Sequence, residues 1–206
     1  MTDWLPPGAG PGAGGPWMDE LQGRLFAQRT VVIRGALDDA LAGRAAAELM
    51  TLDATGDAHV TVHLDASGES LEAAFAVMDV IDLLGVPVHV LCLGRAEGTA
   101  VGILAVGARR AATPNARLRL SDPRTSAQAP ASELARWVEH HLEHLRRFHA
   151  RVAGAVDRPI DEVAADFAAG RFLSAQDALR YGLVDEVATG RGTIYPMPGR
   201  SVGFRP

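Results

Sequence analysis

A chain of 206 residues that is 48% apolar with a formal net charge of −5 is long enough to bury one substantial core. Its charge lacks the basic excess of a nucleic-acid binder, and no run of about 20 apolar residues exists to form a membrane-spanning helix. All 20 basic residues are arginine, so a Ser–Lys dyad, a Schiff-base lysine and a P-loop lysine are excluded within this chain.

Residues 6–16 alternate Gly, Pro and Ala and read as part of a flexible arm covering 1–20. No charged segment followed by an apolar run opens the sequence, so a secretory signal is not expected and the expected location is the cytoplasm. The β-branched stretches 30–34 and 59–64 predict strands, and the Ala-rich stretch 38–52 predicts a helix. Leu71, Phe75, Met78 and Ile81 fall at helical spacing and predict a second helix before a buried strand over 88–93. That strand holds the single cysteine, Cys92, which precludes an intrachain disulfide and reads as inert packing. Strands alternating with helices in this way predict an α/β domain with a mostly parallel sheet over 21–188.

From 131 to 155 the pattern changes. Ser132 suits an N-cap and Glu133 the positive start of a helix. Leu134, Val138, Leu142, Leu145, Phe148 and Val152 then form one apolar stripe, on a helix on the order of 35 Å long. The same helix carries His140 and His144 one turn apart beside Glu143. The spacing suits a transition metal, but it lacks the H-E-x-x-H pattern and reads as a solvated polar face, so no metal and no other cofactor is expected. His59 and His63 share one face of their strand and read as packed or surface side chains. The tail from 189 to 206 scatters Gly, Pro and Arg without apolar period and is expected to be loosely held.

Five stretches resemble the Clp protease proteolytic subunit family (ClpP). Residues 24–39, R-L-F-A-Q-R-T-V-V-I-R-G-A-L-D-D, resemble R-L-L-x-x-R-I-I-F-L-x-G-x-I-D-D. Residues 61–70, T-V-H-L-D-A-S-G-E-S, align with Y-L-Y-I-N-S-P-G-G-S. The Gly/Ala-rich turn C-L-G-R-A-E-G-T from Cys92 is similar to the nucleophile turn C-I-G-x-A-A-S-M. T-P-N-A-R-L-R-L-S-D-P from Thr113 resembles L-P-N-S-R-V-M-I-H-Q-P, and R-F-L-S-A-Q-D-A-L-R-Y-G-L-V-D-E-V from Arg171 resembles R-F-L-S-A-x-E-A-x-E-Y-G-L-I-D-x-V.

The resemblance implies a ClpP/crotonase-type spiral of βαβ units with a projecting handle, about 124–155, that joins stacked heptameric rings. It also implies a Ser-His-Asp peptidase, but the serine position holds Gly98, the histidine position Ser121 and the aspartate position Gly170. The oxyanion-loop glycine is replaced by Glu69. A triad needs a hydroxyl, an imidazole and an orienting carboxylate, so the expected function is a catalytically inactive subunit, structural or regulatory, of a Clp-type ATP-dependent proteolytic complex. The expected partners are copies of itself or an active paralogue in a ring. Docking of a Clp ATPase is doubtful, since the aromatic anchors of the family fall on Thr61, His63 and Leu83.

Two other readings stay open. One is a crotonase-type enzyme acting on acyl thioesters, with Asp65, Glu69 and Glu97 as acid–base groups. The other is a stand-alone homo-oligomeric scaffold. Thr99 and Ser121 are the hydroxyls left near the former nucleophile turn, and neither has a base in the matching motifs. Asp65 and Glu69 are otherwise expected to be solvated or to pair with arginines such as Arg95 or Arg119.

Overall fold

The computed structural model describes residues 16–124 and 130–190. The expectations for the arm through residue 15, for the start of the handle at 125–129 and for the tail beyond 190 lie outside the described residues. In chain order the elements are α1 (Pro16–Ala27), β1 (Thr30–Leu37), α2 (Asp39–Ala54), β2 (Val60–Gly68), α3 (Leu71–Leu83) and β3 (Val88–Gly98). They continue with α4 (Ala100–Ala105), β4 (Arg109–Ala112), β5 (Arg117–Arg119), α5 (Ala131–Val156), α6 (Ile160–Ala168), β6 (Phe172–Ser174), α7 (Ala175–Tyr181) and β7 (Glu186–Val187).

The seven strands form one sheet with the order β1-β2-β3-β4-β7, all parallel along that path. The long strand β3 divides its pairing. His89–Cys92 run beside β4, whereas Arg95–Glu97 run beside β5, which in turn pairs antiparallel with β6. Alternate residues Val31, Ile33, Val60, Val62, Leu64, Val88, Val90 and Cys92 are buried in the core. They share it with apolar residues of α2, α3, α4 and the C-terminal half of α5. This is the period of two expected of a sheet packed against helices. The opposite face is more open: Thr61 and His89 are half-buried and Leu93 is exposed.

Helix starts follow local chemistry. Asp38 accepts from the Leu41 N–H at 2.8 Å and Ser70 from the Ala73 N–H at 3.0 Å, satisfying free donors of α2 and α3. Ser174 and Asp177 close a capping box on α7. Three sequence expectations are corrected. Helix α1 starts at Pro16 and crosses the expected boundary between residues 20 and 21; proline is well tolerated at a first helical position. Helix α5 has Pro130 as its cap, so Ser132 falls inside the first turn instead of capping it. Strand β3 does not end at 93 but runs to Gly98, because Ala96, Glu97 and Gly98 stay in register with Ala66, Ser67 and Gly68 beyond an irregularity after Leu64.

Helix α5, at 26 residues, is about 39 Å long at 1.5 Å per residue. Its stripe changes character along that length. Phe148 and Val152 are fully buried, whereas Leu134, Val138 and Leu142 are 39%, 42% and 57% exposed. The helix is therefore rooted in the core at its C-terminal half, where Phe148 meets Phe75 and Phe167 edge to face, and its N-terminal half carries apolar side chains into solvent.

Candidate functional site

The residues implied for the triad fall close together. Gly98 ends β3 opposite Gly68 of β2. Ser121 follows β5, and its carbonyl oxygen lies 3.7 Å from where a Cβ on Gly98 would stand. Gly170 follows α6 and donates its N–H to Phe167 O at 3.0 Å. Ser121 and Gly170 line one cleft of about 240 Å³ with Glu69, Arg119, Asp122 and Arg124.

Gly98 adopts φ +61°, and a Cβ there would stand 2.2 Å from Gly68 O. Only glycine fits both the left-handed backbone and that contact. The same Gly68 carbonyl accepts the Thr99 N–H at 3.0 Å. In nucleophile turns generally, the N–H of the residue after the nucleophile is one of the oxyanion donors. Here that N–H is bonded within the chain, to Gly68 O. The Thr99 hydroxyl is likewise committed: it is completely buried and donates to Ser70 O at 3.0 Å. It serves as a tether between the two loops.

Glu69 is exposed, and of the two expected outcomes it does not take the pairing with Arg95 or Arg119. Its Oε2 accepts the Arg124 N–H at 3.0 Å and holds the segment after Ser121 to the β2–α3 loop. Asp65 does meet its expected partner: it accepts the Arg95 N–H at 3.2 Å and sits 3.5 Å from Arg34 and 3.9 Å from Arg95. Glu97 is half-buried on β3, so the three carboxylates considered for thioester chemistry are divided among separate surroundings.

A histidine that sequence reasoning passed over lies behind the cleft. His149 of α5 is 5% exposed and places Nε2 2.9 Å from Asp122 Oδ1, with its ring 5.0 Å from that of Phe167. The 27 positions between His149 and Asp122 leave no local motif. The signal available was a polar residue set directly beside the buried Phe148 of the helical stripe. Its Nε2 is engaged by Asp122, and among the described residues no hydrogen bond joins it to Ser121.

Other candidates lie elsewhere. His140 and His144 bring their rings within 4.1 Å, and His144 also meets Phe75. Among the described residues no group of three or more His, Cys, Asp or Glu is placed to hold a metal ion. Thr61 and His63 lie on the open sheet face, His63 buried and Thr61 half-buried, while Leu83 at the end of α3 is 84% exposed. His59 stacks on His89 at 4.3 Å. Burial pulls the pKa of His63 down, and burial followed by His59 and Arg109 does the same for His89. Burial, with Asp65 adding to it, pushes the Cys92 thiol up to about 12. No helix among the described residues is long and apolar enough to cross a membrane.

In comparison with known families, a model described as Clp protease matches residues 14–191.

Proposed function

Because the chain belongs to the Clp protease family, we propose that it is a non-hydrolytic ClpP-like subunit, structural or regulatory, within a Clp-type proteolytic assembly. One observation carries the reading. Where the resemblance implies a serine nucleophile the chain has Gly98, and the adjacent Thr99 N–H is already bonded to Gly68 O. The site thus lacks an attacking atom and one oxyanion donor together. The other two triad positions, Ser121 and Gly170, supply neither imidazole nor carboxylate, and the His149 imidazole behind the cleft is held by Asp122. Loss of one triad member alone costs several orders of magnitude in rate.

The ring partner is either further copies of this chain or an active paralogue, and the exposed apolar half of α5 supports assembly of one kind or the other. Purified protein should cleave no fluorogenic peptide above background and take up no fluorophosphonate. Covalent label mapped to Thr99 or Ser121 would overturn the reading. Native mass spectrometry of the complex recovered from cells, with every chain identified, distinguishes a homo-oligomer from a mixed ring.

A further inference from the structure

We propose that the cleft beside Gly170 is a carboxylate-binding site, with the Arg119 guanidinium as its receptor. Four ionisable side chains line this cleft, and the two acids among them are already engaged. Glu69 accepts the Arg124 N–H, and Asp122 holds His149 Nε2. Arg119 is different. Among the described residues no carboxylate lies within ion-pair distance of it, and its Nε is buried with no hydrogen-bond partner.

The guanidinium is held in place nonetheless. Its Cζ lies 4.9 Å from the centre of the Phe172 ring, and such stacking orients the plane while leaving the N–H edge free. Nη2 reaches the cleft wall, 3.4 Å from where a Cβ on Gly170 would stand. With no side chain at Gly170, nothing at that position screens the fork. A planar fork of uncommitted N–H groups matches a carboxylate in two-point geometry. The cleft, about 240 Å³, offers room beyond the carboxylate itself. The ligand is thus the terminal carboxylate of a peptide or a free small organic acid, which share the same recognition chemistry.

This rests on the non-hydrolytic reading of the same cleft, and the two can fail separately. The probe is an N-terminally fluorescein-labelled Ala-Leu-Ala tripeptide as the free acid, with its C-terminal amide as control, titrated with the full-length protein at low salt. The acid should bind about tenfold or more tightly than the amide, the scale of one charge-assisted hydrogen bond, and should weaken as salt is raised. Arg119→Gln should abolish the difference. Gly170→Asp should do so too, by giving Arg119 an internal carboxylate at a left-handed position that Asp tolerates better than most residues. Its unchanged circular dichroism would show that the fold survives.

Displacement by acetate at concentrations close to those of unlabelled tripeptide assigns the site to small acids, and its failure assigns it to peptide termini. Equal binding of acid and amide, or unaltered binding by both variants, overturns the proposal. Cleavage of the probe would instead overturn the non-hydrolytic reading.

Discussion

At the scale of single residues, Gly98 is the most constrained position in the site. Installing a serine there would not restore a nucleophile, because no imidazole is free to activate it and its Cβ would stand 2.2 Å from Gly68 O. The left-handed backbone alone costs a side chain about 1–2 kcal/mol, and relieving the contact costs more. Gly98→Ser should therefore lower the denaturation midpoint and yield no peptidase activity. Gly154→Ala is the control: that glycine sits in α5 with nothing within 4 Å of its would-be Cβ, and the change should stabilise by about 0.5–1 kcal/mol. A second residue-scale expectation concerns acid. Burial depresses the pKa of His63 and His89 below the ordinary 6.5, so below that pH the unfolded chain binds more protons than the folded one. Their contribution is present above pH 6.5 and is lost as pH falls through the folded-state values. Melting temperature should thus decline on acidification, and His63→Leu, which also removes a buried nitrogen without a partner among the described residues, should flatten that decline. An unflattened profile would place the acid sensitivity elsewhere.

At the scale of elements, α5 combines two roles that one apolar stripe conceals. Phe148 is fully buried between Phe75 and Phe167, so Phe148→Ala should cost about 3–5 kcal/mol of stability. The paired change Val138→Asp with Leu142→Asp touches only exposed positions. It should leave the melting temperature of dissociated protein within a degree or two while weakening assembly, as sedimentation would report. The periodicity of Leu134 to Val152 made this helix legible, but not the point along it where burial begins, which depends on how far the core extends. Strand β3 shows the converse. The stretch from Gly94 reads as a turn, yet parallel partners on both sides hold Ala96 and Glu97 in the sheet, and the chain leaves the extended conformation only at Gly98, with φ +61°. The strands and helices around Val31, Val62, Leu49 and Val77 were readable because each has one buried face. In the site, motif alignment brought Gly98, Ser121 and Gly170 to one place. The orientation of the Gly68 carbonyl and the approach of His149 to Asp122 were invisible, because each depends on how distant segments meet.

At the scale of the whole molecule, the exposed apolar features among the described residues include the outer half of α5, the open face of the sheet with Leu93 at 38% exposure, Leu83 at 84% and Phe172 at 67%. Isolated exposed apolar residues are ordinary, but Leu134, Val138 and Leu142 succeed one another along a single helix face, and such a face is stable in water chiefly when another surface covers it. Assembly then becomes part of stability by mass action: whatever binds only the folded protomer raises the apparent melting temperature with its own concentration. If copies of this chain cover one another, the melting temperature should climb when protein is raised from the nanomolar to the micromolar range. The Val138→Asp, Leu142→Asp protein should then melt independently of concentration. If an active paralogue is the true neighbour, the chain alone should melt at a constant temperature and gain stability only when that paralogue is added. A concentration-independent melt, a monodisperse monomer at micromolar protein and no companion chain in the native complex would together exclude the ring. The exposed half of α5 would then be without a structural purpose.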